Sequence, residues 1–152
     1  MLRAEPNSLF SWDFTVYDDG APVAEIDLAW VREVGDVVID GVACQMYRDG
    51  MLGEFVLEAG GFTLVRAVKF SVFLRTFEIT YDDQTYTLKA PNPLMRTFAL
   101  FHGEQRIGVI KPDHSMTRKM TANLPETLPL AVRVFIVWLV IVMWKRAAQS
   151  PG

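Results

Sequence analysis

The sequence predicts a mainly β protein, a closed antiparallel barrel of about twelve strands with a central hydrophobic C-terminal helix. Three observations predict this fold. From Leu128 to Trp144 the chain is apolar on every side of a helix except at Arg133, so this segment must be enclosed by protein or by lipid. Many shorter segments alternate between apolar and polar residues, as half-buried strands do. A barrel of the expected size also has room for one helix.

The alternating segments form four similar hairpins. In the first, Phe10, Trp12, Phe14 and Val16 alternate with polar residues between Leu9 and Tyr17, and the turn Asp18-Asp19-Gly20 leads into a strand from Ala24 to Trp30. The other three hairpins run from Cys44 to Leu57, from Phe77 to Leu88 and from Phe98 to Val109. Each has an aromatic residue just before a turn that contains Asp or Gly, the residue types that tolerate a positive φ.

Three further segments are expected to be strands: Asp36 to Asp40, Phe62 to Val68 and Val72 to Leu74. With the hairpins they give about eleven or twelve short strands. A barrel of about twelve strands, spaced about 4.8 Å apart and tilted by about 40°, has a diameter of about 23 Å. A central helix requires about 10 Å from its axis to the sheet, so the apolar C-terminal helix fits the lumen.

The alternative enclosure is a lipid bilayer. A membrane-spanning helix needs about 20 apolar residues, and the uninterrupted segment from Val134 to Trp144 is only about 16 Å long. Extending the segment back to Leu128 includes Arg133, which costs about 2.5 to 3.5 kcal/mol near a bilayer centre. A tail-anchored protein with a cytoplasmic β domain therefore stays an alternative, and Trp138, Trp144, Lys145 and Arg146 would be its interfacial anchors.

The ends of the C-terminal helix, expected at about residues 128 to 147, carry their own signals. Thr127 is expected to be the N-cap and Pro129 to lie in the first turn. Lys145 and Arg146 lie where cations stabilise a helix C-terminus. Arg133 must reach either an opening of the barrel or a buried carboxylate, because an unpaired buried charge is costly.

Composition is typical of a single soluble domain over residues 1 to 152, since 51% of the residues are hydrophobic and 22% are charged. The first nine residues lack the apolar run of a signal peptide. The single cysteine, Cys44, excludes an internal disulfide and is expected to be a small buried side chain. We therefore expect a cytoplasmic location.

Charge is distributed unevenly along the chain. Residues 1 to 60 carry a net charge of −9 and residues 61 to 152 carry +6, which predicts opposed acidic and basic faces on a barrel. The candidate ligand-binding residues, expected to lie in a loop beside the entrance of the helix and to bind a lipid phosphate, are Lys111, His114, Arg118 and Lys119. The alternative is that these cations only solvate the surface.

No catalytic motif is present, so the sequence predicts no enzyme, no cofactor and no metal site. His102 and His114 have no metal-ligand spacing with a cysteine or a carboxylate. The pairs Asp18-Asp19 and Asp82-Asp83 occupy equivalent turns and are explained by turn chemistry. The negative net charge and the lack of a reading helix argue against nucleic-acid binding.

The hairpins FTVYDDGAPVAEI, CQMYRDGMLGEFVL and FALFHGEQRIGVIK, followed by TRKMTANLPETLPLAVRVFIVWLVIVMWKR, resemble the tubby C-terminal-like superfamily, which includes LURP-one-related proteins and phospholipid scramblases. The resemblance extends from about Leu9 to Arg146 and implies a twelve-stranded barrel threaded by the C-terminal helix. The calcium-binding segment of scramblases and the phosphoinositide pocket of tubby proteins have no match in this chain.

The resemblance also implies a function. We expect a non-enzymatic binding module that recognises anionic membrane phospholipid or a membrane-associated protein. Besides the tail-anchored protein, the remaining alternative is a protein-interaction scaffold without affinity for lipid. The sequence does not indicate an oligomeric state.

Overall fold

The computed structural model describes residues 1–28, 34–39, 41–49, 54–69, 75–92 and 95–149. Within these ranges, twelve strands form a closed antiparallel barrel and one helix follows them, which confirms the predicted fold class. The elements are β1 (Leu2–Pro6), β2 (Phe14–Asp18), β3 (Ala21–Leu28), β4 (Val34–Ile39), β5 (Val42–Asp49), β6 (Glu54–Ala59), β7 (Phe62–Lys69), β8 (Thr76–Tyr81), β9 (Gln84–Lys89), β10 (Phe98–His102), β11 (Gln105–Pro112), β12 (Met120–Asn123) and α1 (Leu130–Gln149).

Each strand pairs with its neighbours in the sequence, and β12 closes the barrel by pairing with β1. At this seam Leu2 lies opposite Ala122, and Ala4 lies opposite Met120. The guanidinium of Arg3 also crosses the seam, where it donates to Thr121 Oγ1 at 3.0 Å and to Asp113 Oδ2 at 2.6 Å. Closure leaves no exposed strand edge among these twelve strands.

All four predicted hairpins are present, as β2–β3, β5–β6, β8–β9 and β10–β11. Their turn chemistry is visible in the backbone at Asp19 (φ 47°), Asp82 (φ 49°) and Asp83 (φ 58°). Two-residue hairpins favour turns with positive φ because that twist matches the strands, and a short Asp side chain tolerates it.

Most buried side chains of the strands share one apolar core with α1. Buried inward residues include Phe14 of β2, Phe55 of β6, Phe77 of β8 and Phe98 of β10. All fourteen helix residues from Val132 to Lys145 are buried. A single curved sheet therefore encloses the helix on all sides, which is the protein enclosure favoured by the sequence.

The connections divide the barrel into two unlike ends. At one end, which we call the turn end, only two residues separate the strands of each of five hairpins. At the other, the loop end, the six connections have four to eight residues. Residues 124–129 lead from β12 into α1 at the turn end. The helix then runs through the barrel to the loop end, where Trp144 Nε1 donates to the carbonyl of Arg96 at 3.0 Å.

The start of α1 differs from the prediction. The first helical hydrogen bond runs from Arg133 N to Pro129 O at 3.1 Å, so Pro129 rather than Thr127 occupies the N-cap position. Arg133 is buried, and its Nε donates to the carbonyl of Leu128 at 3.0 Å. The partner of this guanidinium is therefore a backbone carbonyl just before the helix. The sequence had predicted a buried carboxylate or an opening of the barrel instead.

Other differences concern short or irregular segments. Strands β1 and β12 were not predicted, and the predicted strand from Leu9 to Tyr17 begins only at Phe14. Residues 7–13 instead form the loop between β1 and β2, closed by a hydrogen bond from Asn7 N to Asp13 O at 2.9 Å. The predicted strand from Val72 to Leu74 lies outside the described residues, as do Trp30, Asp40 and Gly50.

Candidate functional site

Charge differs between the two ends of the barrel. In the described part of the turn end, the connections and the segment before α1 contain five acidic side chains and no basic one: Asp19, Asp82, Asp83, Glu104 and Glu126. In the described connections of the loop end and the last turns of α1, six basic side chains accompany Asp13 and Asp113: Arg75, Arg96, Arg118, Lys119, Lys145 and Arg146. The connections are therefore basic at the loop end and acidic at the turn end, while the strand residues Glu5, Asp27, Asp49 and Glu54 also lie near the loop end, on the side of β1 to β6.

The uneven charge of the sequence also divides the barrel wall. Because strand order follows chain order, β1 to β6 make one side and β7 to β12 make the other. In the described strands, β1 to β6 carry two basic and eight acidic residues, whereas β7 to β12 carry five basic residues and one acidic residue. The acidic and basic sides of the wall therefore lie opposite each other, as predicted.

Arg118 fastens two loops of the loop end together. Its guanidinium donates to the carbonyls of Ser8 (2.8 Å), Leu9 and Ser11 in the β1–β2 loop, and it lies 5.1 Å from the ring centroid of Trp12. A planar guanidinium with five donors suits several carbonyls at once. The primary role of this predicted phosphate ligand is therefore to hold the 7–13 loop against the 113–119 loop.

Arg96 makes the corresponding connection between the β9–β10 loop and the 113–119 loop. Its guanidinium donates to the carbonyls of Thr117 (2.7 Å), Ser115 (2.8 Å) and His114 (3.1 Å). It also lies 4.6 Å from the ring centroid of Trp144. Burial lowers the pKa of Arg96 from its ordinary value, but an arginine remains charged in proteins. Sequence reasoning missed this residue as a loop organiser because its partners are backbone atoms.

The other predicted ligands lie on the same loop or beside it. His114 and Lys119 are exposed in the 113–119 loop, and Lys111 is exposed near the end of β11. His114 Nδ1 accepts a hydrogen bond from Met116 N at 3.4 Å. The expected position beside the helix entrance is wrong, because β12 carries the chain to the opposite end before α1 begins. The candidate residues instead lie at the end where the helix terminates.

Large apolar side chains project from the same three loops. Leu9 and Phe10 are 85% and 86% exposed in the 7–13 loop, and Met116 is 88% exposed in the 113–119 loop. Met95, in the β9–β10 loop, is 55% exposed. We call Leu9, Phe10, Met95 and Met116 the apolar tips. The alternation from Leu9 to Tyr17 predicted that Phe10 would face the core, because the pattern continues into β2. That prediction is wrong.

The acidic side of the barrel contains a surface cavity of about 460 Å³ whose walls include Asp13, Asp27 and Asp36. Asp13 Oδ1 accepts a hydrogen bond from Leu28 N at 3.0 Å. The hydrogen bond between Asp27 and Asp13 raises the pKa of Asp27, and the charge of Asp13, burial and the charge of Asp36 act in the same direction. In the described ranges no group of three or more His, Cys, Asp or Glu side chains is arranged to hold a metal ion.

Asp113 shows the opposite behaviour at the barrel seam. Burial by itself would raise the pKa of Asp113, but hydrogen bonds from Arg3 and Thr121 outweigh it and lower the pKa. Thr121 Oγ1 donates to Asp113 Oδ1 at 2.8 Å. The ionised form of Asp113 therefore stabilises both the closed barrel and the start of the 113–119 loop.

These two shifts predict opposite effects of pH. A lowered folded-state pKa gives stability that is present above the unfolded pKa and is lost as the pH falls through the folded value. Asp113→Asn should therefore reduce the free energy of unfolding at pH 7 by about 0.5 to 1 kcal/mol, and this difference should shrink at acidic pH. Ionised Asp27 instead costs stability above its raised pKa, so Asp27→Asn should stabilise the protein at pH 7 but not at acidic pH.

Thermal unfolding from pH 3 to pH 8 measures both effects. Glu104→Gln, which removes an exposed acid at the turn end, is the control and should leave the pH profile unchanged. Destabilisation by Asp27→Asn at neutral pH would contradict the assignment.

Cys44 is a buried residue of β5, as predicted, and burial raises the pKa of its thiol. Among the residues that the structure covers, no helix has both the length and the apolar character needed to cross a bilayer. Comparisons of this chain with protein-family models, with curated proteins and with solved structures give no match.

Proposed function

We propose that this protein is a non-enzymatic module that binds the surface of membranes rich in anionic phospholipid, with its loop end toward the lipid. The observation that carries the proposal is the joint presence of basic side chains and exposed apolar side chains at one end of the barrel. The opposite end is acidic. An anionic surface would attract the first end and repel the second, so electrostatics alone would orient the molecule.

The candidate residues identified in the sequence have distinct parts in this proposal. Lys111, His114 and Lys119 are exposed and are the proposed contacts to lipid phosphates. Arg118 contributes its positive charge from a fixed position, since its donors are engaged by loop carbonyls. The resemblance to the tubby C-terminal-like superfamily supports a binding role rather than a catalytic one.

Vesicle flotation tests the proposal. The 152-residue chain should float with vesicles that contain phosphatidylserine and not with vesicles of phosphatidylcholine alone. A cation near an anionic surface contributes about 1 kcal/mol, so Lys119→Gln should weaken binding about fivefold and Lys111→Gln/Lys119→Gln about thirtyfold. Binding should also weaken as salt is added.

Arg106→Gln is the matched control because it removes one exposed cation near the turn end. It changes the net charge as much as Lys119→Gln does, and it should leave binding unchanged. An equal loss in both variants would show that only net charge matters, which contradicts an oriented surface. Absence of binding to anionic vesicles would overturn the proposal in favour of a protein-interaction scaffold.

A further inference from the structure

Three of the four apolar tips pack little against the rest of the protein. Phe10, Leu9 and Met116 are each at least 85% exposed, so their side chains contribute little to the core. Fully burying a Phe, Leu or Met side chain is worth about 1.5 to 3 kcal/mol. Transfer of these side chains from water into an apolar medium at the loop end would therefore be favourable in free energy.

The loops that carry the tips are fastened together. Arg118 donates to three carbonyls of the 7–13 loop, and Arg96 donates to three carbonyls of the 113–119 loop. The β9–β10 loop is held in addition by the hydrogen bond from Arg75 Nη1 to Met95 O at 3.3 Å. Three loops thus form one platform. Such preorganisation lowers the entropy cost of binding, because the loops are ordered beforehand.

The cations at the loop end indicate which apolar medium the tips would enter. Lys111 and Lys119 are exposed at the same end of the barrel as the tips, and Arg118 adds a third positive charge there. Apolar side chains that project among cations match the boundary between anionic headgroups and acyl chains in a bilayer. A soluble anionic ligand would satisfy the cations but would leave the apolar tips in water.

We infer that the apolar tips insert into the headgroup and acyl boundary of an anionic bilayer, and that Arg96 and Arg118 are the positioning residues that present them. This inference rests on the proposed function and specifies its partner as a lipid bilayer rather than a free phosphorylated ligand. Binding then has two parts: a salt-sensitive attraction from the lysines and a salt-resistant part from the tips.

The first experiment compares Phe10→Ser with Phe62→Ser in flotation on phosphatidylserine vesicles at low and high salt. Phe62 is the matched control because it is 76% exposed but starts β7 at the turn end. Phe10→Ser should weaken binding about tenfold, equivalent to about 1.4 kcal/mol, at high salt as well as at low salt. Phe62→Ser should bind as the unchanged protein does.

The second experiment reports insertion directly. Cys44 is the one cysteine of the chain, so a Cys44→Ala background permits single labelling with an environment-sensitive fluorophore at Phe10→Cys, at Met116→Cys or, as the control, at Glu104→Cys. Anionic vesicles should shift the emission of the first two labels to shorter wavelength and leave the third unchanged. Glycerol phosphate, as a soluble anion, should shift none of them.

Arg118→Lys tests positioning, because it keeps the charge but loses the planar set of donors. It should weaken binding at high and low salt as Phe10→Ser does, and it should leave the slope of log affinity against log salt concentration unchanged because the charge is kept. Thermal unfolding monitors folding. If the unchanged protein binds anionic vesicles but Phe10→Ser binds equally well and the labels stay in water, the insertion is overturned and the proposed function stands. If the unchanged protein does not bind vesicles at all, both fail.

Discussion

Val137→Asp should yield no folded protein. Val137 is 1% exposed, in the middle of α1, and its surroundings belong to the apolar core. A carboxylate there has to be ionised without a partner or protonated at a cost, and buried groups of this kind destabilise by about 5 kcal/mol or more. That is comparable to the whole stability of a typical domain, about 5 to 15 kcal/mol. Expression in the soluble fraction and circular dichroism would measure the result.

Val42→Asp makes the same chemical change at a residue that is 54% exposed at the start of β5, and it should fold normally. A folded Val137→Asp protein with the stability of Val42→Asp would show that the helix is not enclosed by the strands. It would contradict the fold described here more directly than any surface mutation.

The second large effect is expected at Trp138, where truncation and conservative replacement should differ. Trp138 is fully buried, with ring centroids 5.7 Å from both Phe55 and Phe135. Trp138→Ala should lower the free energy of unfolding by about 3 to 5 kcal/mol, because it leaves a large cavity. However, within the described residues the indole Nε1 of Trp138 is a buried donor without an acceptor.

Trp138→Phe should therefore change the free energy of unfolding by no more than about 1 kcal/mol, because removing an unsatisfied donor offsets the lost ring volume. Trp144→Phe is the matched comparison. The Trp144 indole donates to the carbonyl of Arg96, and losing that hydrogen bond should cost about 0.5 to 1.5 kcal/mol in addition to the lost volume. Denaturant unfolding would measure all three variants. A Trp138→Phe loss as large as that of Trp138→Ala would contradict this account.

Most of the barrel was predictable because its signals are local. A hairpin such as β8–β9 combines strict alternation, Phe77 and Ile79 before Tyr86 and Leu88, with a turn chemistry at Asp82-Asp83 that few other conformations explain. The missed strands lack those signals. Strand β1, LRAEP, has two charged residues and a proline, and β12 has only four residues. Each pairs with its neighbour in the sequence and also with the other across the seam, and that second pairing is a long-range contact.

The candidate site was predictable only in part. The candidate residues Lys111, His114, Arg118 and Lys119 could be named from the sequence. Their position could not, because the end of the barrel on which they lie depends on β12, which was not predicted. Phe10 was predicted to be buried but is exposed, because the order of apolar and polar residues does not show where the chain leaves the sheet. The roles of Arg96 and Arg118 depend on backbone carbonyls, which no sequence pattern marks.

The order of elements also affects how the chain emerges from a ribosome. Strand β1 cannot pair with β12 until residue 123 has been made, and α1 cannot cover all the inner faces until residue 149 has been made. At about 5 to 20 residues per second, the first strand waits roughly 7 to 29 s for α1 to be completed. During that time the apolar inner face of the incomplete sheet is exposed to water. The nascent chain is thus most prone to aggregate before its last helix appears, and a holding chaperone would help it most in that interval.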